Sequence, residues 1–286
     1  MRLNQETNKQ GRYLWRPISR IAPTPSGYLH AGNAINFIIT YLFTRSQNGF
    51  LHLRIDDYDL VRYKDEYVLN IFDVLEFLRL DYDAGARNLA EFRSKFSSAF
   101  RSEIYKQAVK NLKDTYFCSC SKHTPNAYKN GIYTGICRDK NLPFISGQTA
   151  LKIKCELNLG DFVLFRKDGF VAYNFASVVD DELLGVNFIV RGADLFECSQ
   201  AQKFLANKLN YKFQNCEILH HELLKKDGIK LSKSQKAPPI NLKESPQIYY
   251  KMVAKMLGLN PKSSQNLNTL LEEFKEQKSQ LLAKFC

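Results

Sequence analysis

The sequence predicts an α/β protein: a parallel sheet flanked by helices, interrupted by a cysteine-bearing insertion and completed by a short helical C-terminal part. Three observations carry this expectation. A strand, a Pro/Gly turn, a helix and a second strand follow one another between Trp15 and Ile55; helix and strand alternate again between Tyr173 and Leu209; and between these stretches residues 116–138 break the alternation and gather three cysteines. Strand, helix, strand in that order implies a right-handed crossover within a parallel sheet.

Trp15 to Ala22 reads as a buried strand, broken by Arg16, Pro17, Ser19 and Arg20, and Ala31 to Gln47 as a helix. Between them Pro23, Pro25 and Gly27 shape a rigid loop, and Gly32 lets backbone come close to a ligand. The first turn of the helix should offer unpaired N–H groups and a positive dipole end, which together make an anion site. His30 stands at its mouth, where an imidazole can donate a hydrogen bond to a phosphate; the alternative is a Gly/Pro turn with a surface histidine. Phe50 to Ile55 alternates as a second strand and ends in Asp56, Asp57 and Asp59. Ligands of parallel sheets collect at the carboxyl ends of strands, so Asp56 is a candidate contact, whereas Asp57 and Asp59 are assigned to capping.

Lys64 to Leu80 is expected to be a helix with Val68, Ile71, Phe72, Leu75 and Leu78 inward, and Ser97 to Lys113 another with Phe100, Ile104, Ala108 and Leu112 inward. The segment 81–96 reads as an irregular, exposed loop. Within 116–138, Cys118-x-Cys120 and Tyr133-x-x-x-Cys137 supply three thiolates, which with one further donor make a tetrahedral zinc site. Side-chain chemistry leaves His123 or Tyr133 as that donor and favours His123, because a neutral imidazole binds zinc without losing a proton. Short strands at Thr149 to Cys155 and Phe162 to Arg166 turn through Lys167-Asp168-Gly169 into Phe170 to Tyr173.

Tyr173 to Leu184 returns to helix, Asn187 to Arg191 to strand and Leu195 to Leu209 to helix. Arg191 is thus at a strand tip, where a guanidinium can clamp a carboxylate bidentately or be tied up by Asp194 or Glu197. Farther on, Lys225 to Ser234 places Lys230 and Lys233 after an Asp227-Gly228 turn. Two cations on a polar loop suit substitution at an α-phosphate, because charge develops on the departing pyrophosphate; alone, the run reads equally as solvated lysines. Two more helices are expected at Pro246 to Leu257 and Ser264 to Phe285, the last solvated on one face. The resulting division is residues 1–115 and 166–240 as two halves of one nucleotide-binding domain, 116–165 as a zinc-binding insertion and 241–286 as a helical C-terminal segment.

Composition bounds the function. The 286 residues can bury a full core, and 41 Lys+Arg against 29 Asp+Glu give a formal net charge of +12, which fits a polyanionic partner. The longest apolar run, near Ile35 to Phe43, is too short for a bilayer, and Met1 to Gln10 is polar, so a cytoplasmic protein away from membranes is expected. Seven cysteines, an odd number without an export signal, argue against a disulfide framework.

The pair of stretches His30-Ala31-Gly32-Asn33 and Lys230-Leu231-Ser232-Lys233-Ser234, in this order, resembles the two signature motifs of class I aminoacyl-tRNA synthetases. Arg-x-Ala-Pro-x-Pro-Ser-Gly at 20–27, Leu53-Arg54-Ile55, Gly131-Ile132-Tyr133, Ala172-Tyr173-Asn174, Val178 to Asp181 and Val190 to Leu195 extend the likeness to the glutamyl branch. Arg191 to Leu195 and the cysteine spacing are most similar to the short glutamyl-queuosine tRNA(Asp) synthetases.

The resemblance implies a Rossmann-type class I synthetase catalytic domain and a ligase using ATP, with Mg²⁺, to make glutamyl-adenylate. It implies transfer of the glutamyl group to queuosine in the tRNA(Asp) anticodon, by a protein expected to be a monomer. It assigns glutamate to Arg20, Ile21, Ala22, Pro23, Thr24, Asp56, Tyr173 and Arg191, and ATP to His30, Gly32, Lys230 and Lys233, of which His30 and the two lysines are catalytic. It assigns zinc to Cys118, Cys120, Tyr133 and Cys137. Position 56 departs from the family, having Asp for Glu, and the gap from Cys120 to Tyr133 is about one residue longer, which keeps His123 open as the fourth donor. The alternatives are a truncated glutamyl-tRNA synthetase charging tRNA(Glu) and a catalytically silent tRNA-binding paralogue.

Overall fold

The computed structural model describes residues 16–223, 238–282 and 285, and the backbone alone at 225, 226, 229 and 230. Lys233 therefore lies outside the described residues, as does the side chain of Lys230.

Strand β1 (Ile18–Ile21) pairs in parallel with β2 (Phe50–Leu53), Ile18 opposite Phe50 and Ile21 opposite Leu53. The crossover between them is α1 (Ala31–Arg45), which buries Ala34, Ile35 and every residue from Phe37 to Thr44. A helix apolar on all sides must be covered on all sides. The sheet covers one side, and the two C-terminal helices the other: the Phe43 ring meets Phe188 at 5.9 Å and Phe274 at 4.8 Å between centroids. Thr40 and Thr44, the polar residues of that stretch, are satisfied by donating to the Asn36 and Thr40 carbonyls, each at 2.7 Å.

Helix α2 (Asp65–Phe77) turns Val68, Ile71 and Leu75 to the core as expected. The segment 81–96 is more structured than its composition indicates. Leu89–Glu91 forms a single helical turn, α3, and the wide turn at Phe92–Phe96 buries Phe92. The stretch beginning at Ser97 divides into a 3₁₀ turn, Ser98–Arg101, and α4 (Ser102–Lys110). Its inward face is Tyr105, Ala108 and Leu112, while Phe100 and Ile104 are 58% and 39% exposed, contrary to the apolar stripe read from the sequence. The cause is a buried carboxylate. Asp180 accepts from the Tyr105 and Tyr58 hydroxyls and from Nε and Nη2 of Arg101, and this sets the rotation of α4.

The middle of the chain forms an antiparallel sheet in the order β3 (Thr115–Cys118), β6 (Ala150–Ile153), β7 (Phe162–Phe165). A hairpin of β4 (Tyr128–Lys129) and β5 (Ile132–Tyr133) sits beside it, its two-residue turn made by Asn130 and Gly131 at positive φ. The parallel pattern then resumes. Helix α5 (Tyr173–Leu183) leads to β8 (Phe188–Gly192), and α6 (Phe196–Lys208) crosses over to β9 (Glu217–His221), parallel to β8. Asn187 joins the two parallel pairs: its N–H donates to the Ile18 carbonyl at 3.0 Å and its side-chain oxygen accepts from Ile18 N–H at 2.7 Å. A two-residue pair, β10 (Lys225–Lys226) and β11 (Ile229–Lys230), precedes α7 (Gln247–Leu257) and α8 (Leu267–Leu282). Leu267, Leu270, Phe274 and Leu281 of α8 are buried against α1 and α7 in the first of two large apolar cores; the second lies among α4, α5 and α6.

The Asp180 network predicts an order of sensitivities. Asp180→Ala, which strands Arg101 and two tyrosines, should cost about 3–5 kcal/mol in urea unfolding, whereas Ile104→Ser on the outward face should change stability by less than about 0.5 kcal/mol. Equal losses would contradict the observed rotation of α4.

Candidate active site

The end of β1 and the end of β2 run side by side. Arg54 N–H donates to the Ile21 carbonyl and Asp56 N–H to the Pro23 carbonyl, each at 2.9 Å, which places Ile21, Ala22, Pro23 and Thr24 against Asp56 at the carboxyl end of the sheet. From there the chain enters α1 through His30. The His30 side chain caps the helix: Nδ1 accepts from Gly32 N–H at 3.1 Å, and Asn33 returns its side-chain oxygen to His30 N–H at 3.0 Å. This corrects the picture of a surface histidine beside an open N-terminus, because His30 is buried and occupies one of the helix donors itself. The cap also selects a tautomer. A neutral imidazole accepting at Nδ1 carries its proton on Nε2, the donor form needed toward a phosphate oxygen.

The described residues that flank 231–237 approach this turn. Ile240 N–H donates to the Leu29 carbonyl at 2.9 Å, and Pro239 bridges to His30. On the other side His221, at the end of β9, places Nε2 3.0 Å from Asn36 Oδ1 on α1.

Behind the turn lies a buried ionic cluster. Arg54 holds both oxygens of Asp56, at 2.6 and 3.1 Å, and its Nη1 reaches Asp181 Oδ1 at 2.7 Å. Arg20 Nε reaches the same Asp181 oxygen at 3.0 Å. Burial raises the Asp56 carboxyl above the usual carboxylate range, with the Arg54 charge opposing. Asp56 thus spends its hydrogen-bonding capacity on the arginine two residues before it. Asp57 serves as expected in a cap, accepting from Ser97 O–H at 2.6 Å and Ser98 N–H at 2.8 Å, while Asp59 pairs at the surface with Arg62.

Arg191 is 2% exposed, yet its partners are neutral: Nη1 donates to Gln202 Oε1 at 2.8 Å and to Ser199 Oγ at 3.3 Å. The ion pairs with Asp194 or Glu197 that the sequence allows do not take it up. Among the described residues its Nε and Nη2 are buried without hydrogen-bond partners, as is Asp181 Oδ2. Burial lowers the Arg191 pKa. Asn187 sets β8 beside β1, the strand that carries Arg20, and Asn174, next to Tyr173, accepts from Gln202, the partner of Arg191, so the start of α5 and the two arginine strands meet here. Tyr173 begins α5 and Asp181 lies two turns further along the same helix. A buried guanidinium with two unmet donors is costly unless an anion completes it.

A second cluster lies in the hairpin region. The sulfurs of Cys118, Cys120 and Cys137 lie within 4.8 Å of one another, Cys120 and Cys137 being 3.5 Å apart. The Tyr133 hydroxyl is 3.2 Å from Cys118 Sγ and 3.7 Å from Cys120 Sγ, and accepts from Cys137 N–H at 3.2 Å. His123 is exposed and outside this group of sulfurs, so the preference for it is corrected: the β4–β5 hairpin delivers Tyr133 to the cluster instead. Burial would raise the Cys137 thiol, but hydrogen bonds with Tyr133 and Cys120 bring it down to about 7. Lys152 Nζ lies 3.8 Å from the centre of the Tyr133 ring. Three gathered thiols, one of them readily ionised, can hold a soft metal ion.

Ser199, Gln202 and the bridging role of Asp181 were not found from sequence. Ser199 and Gln202 are three residues apart on α6, a polar pair on its buried face, and that spacing is the one signal that could have found them.

The model of the family described as tRNA synthetases class I (E and Q), catalytic domain, matches residues 18–135 and 136–281. The chain is 31% identical over 264 residues to the glutamyl-Q tRNA(Asp) synthetase of Pseudomonas fluorescens, covering 85% of each chain. With the protein of that name from Photorhabdus laumondii it shares 34% identity over 246 residues, 79% of this chain and 74% of the other. The solved glutamate-tRNA synthetase from Elizabethkingia anophelis superposes with a TM-score of 0.69 at 20% identity, over 91% of this chain and 66% of that longer one. The parallel sheet, the capped His30 turn and the family match agree: this chain belongs to the class I tRNA synthetases of the E and Q family and carries their catalytic-domain fold.

Proposed function

We propose that this chain activates L-glutamate with ATP and transfers the glutamyl group to the queuosine base in the anticodon of tRNA(Asp), acting as a monomer in the cytoplasm. The observation that carries the glutamate reading is Arg191, buried with two N–H donors unmet among the described residues, on a strand joined to that of Arg20. A carboxylate is the group that completes such a site. The acceptor reading draws on the names of the relatives and on the net charge of +12, which favours an RNA.

Arg20, Tyr173 and Arg191 would address the carboxylates, with Ile21 to Thr24 as the backbone wall and Asp56 behind it, oriented by Arg54. The glutamate α-carboxylate oxygen attacks the α-phosphorus of ATP; an acyl–phosphate bond forms, the α–β phosphoanhydride bond breaks and pyrophosphate departs. His30, Gly32, Lys230 and Lys233 would hold ATP, His30 donating from Nε2 and the lysines neutralising charge on the departing pyrophosphate. Magnesium on the phosphates would add to that neutralisation. A hydroxyl of the queuosine diol then attacks the acyl carbon and AMP leaves. Cys118, Cys120, Tyr133 and Cys137 would hold a zinc ion that braces the insertion; no described membrane-length apolar helix conflicts with a cytoplasmic site.

The deciding experiment is transfer of labelled glutamate to queuosine-containing tRNA(Asp) and to tRNA(Glu), each with and without its terminal adenosine. Labelling of tRNA(Asp) that persists without that adenosine and vanishes with plain guanosine in the anticodon is expected; labelling of intact tRNA(Glu) alone would make this a short conventional synthetase. Lys233→Ala should slow glutamate-dependent pyrophosphate exchange by about 2.7–4 kcal/mol, the scale of one preorganised donor, with folding intact by circular dichroism. Metal analysis should find one zinc per chain in the native protein. A chelator or Cys137→Ser should release it and lower the melting temperature, and an unchanged melt would remove the structural zinc.

A further inference from the structure

Three arginines are buried among the described residues, and they are held differently. Arg20 is paired with Asp181, and Arg54 with Asp56 and Asp181. Arg191 is held by an amide and a hydroxyl, while Asp181, the nearby carboxylate whose charge bears on it, is already shared between the other two. The orientation of the amide is fixed as well. Gln202, fully buried, donates from Nε2 to Asn174 Oδ1 at 3.4 Å, so that Oε1 is the atom turned to Arg191. Ser199 Oγ, which accepts from Arg191 Nη1, also lies 3.1 Å from the Leu195 carbonyl and 2.8 Å from His220 Nε2, so this hydroxyl is held in place from three sides.

We propose that Gln202 is a specificity-determining residue of the glutamate site, a neutral clamp that orients Arg191 through Nη1 and leaves its whole charge, with Nε and Nη2, to the side-chain carboxylate of the substrate. This rests on the glutamate reading above and adds how an acid is told from its amide. A carboxylate meets both donors with acceptor oxygens and cancels a buried charge. The amide of glutamine presents one NH₂ to a donor and leaves the charge uncompensated, a mismatch of the kind that discriminates strongly in a buried site. A glutamate at position 202 would supply that carboxylate from within.

The test uses the full chain and pyrophosphate exchange supported by L-glutamate or by L-glutamine. In Gln202→Glu the KM for glutamate should rise about tenfold or more, the KM for ATP should stay, and the glutamate-to-glutamine ratio of kcat/KM should fall about tenfold or more. Asn174 can turn its own amide to donate to the new carboxylate, so the variant is expected to fold. Gln202→Met, which loses the hydrogen bond without adding charge, should raise the glutamate KM while keeping the ratio within about threefold. A ratio unmoved in Gln202→Glu overturns the proposal, as does a ratio lost in Gln202→Met whatever the first variant does. Absence of glutamate-dependent exchange in the unaltered chain overturns the glutamate reading itself.

Discussion

The arrangement depends on one oxygen atom. Asp181 Oδ1 receives Arg20 from the end of β1 and Arg54 from the segment after β2, and so ties α5, from the second half of the chain, to the carboxyl edge of the first parallel pair. Such a bridge adds little net stability compared with an apolar filling, because desolvation of three charges nearly offsets their attraction. Its effect is on geometry. No member can move without leaving a charge stranded in a low dielectric, so the two halves of the site are held in one relative position.

The apolar packing makes that position possible. Helix α1 is buried along nearly its whole length, so its N-terminus is a fixed point beside the sheet edge, and the His30 cap is presented by a rigid body. The two large cores lie on either side of the ionic cluster: α1, α2, α7 and α8 on one, α4, α5 and α6 on the other. Asp180 anchors α4 from the second core while its neighbour Asp181 serves the first, and adjacent residues of one helix thus organise two different networks. Within the second network, apolar residues as large as Phe100 are left outside so that a tyrosine hydroxyl can reach a carboxylate. Burying that carboxylate unpaired would cost more than exposing a phenyl ring.

The insertion is built by a different device. Its antiparallel strands are short: Ile153 and Leu164 join the second large core, while Tyr116, Cys118, Ala127, Tyr133 and Cys137 form a small apolar cluster of their own around the thiols. A left-handed Asn130-Gly131 turn brings Tyr133 back over the sulfurs, with the Lys152 ammonium above its ring. Side-chain chemistry alone favoured a histidine there. Strand pairing carries Tyr133 inward to the sulfurs and leaves His123 in solvent.

Local pattern in the sequence determined the main helices and strands of the two parallel α/β halves and the parallel class of their pairing, because hydrophobic period, Pro/Gly turns and strand–helix alternation act over a few residues; the helical turns of 89–96 and the two-residue strands β4 and β5 are too short to show such a period. It also marked the His30 turn, Arg191 and the cysteines, whose chemistry is carried by residue type and spacing. Tertiary structure alone decided where the charges went. Asp56 turned to Arg54, Arg191 to Gln202 and Ser199 instead of Asp194 or Glu197, and Asp181 to two arginines more than a hundred residues away in the chain. The reason is physical: a buried ion pair is chosen by distance and solvation in the folded state, and neither quantity is encoded in the spacing of residues along the chain.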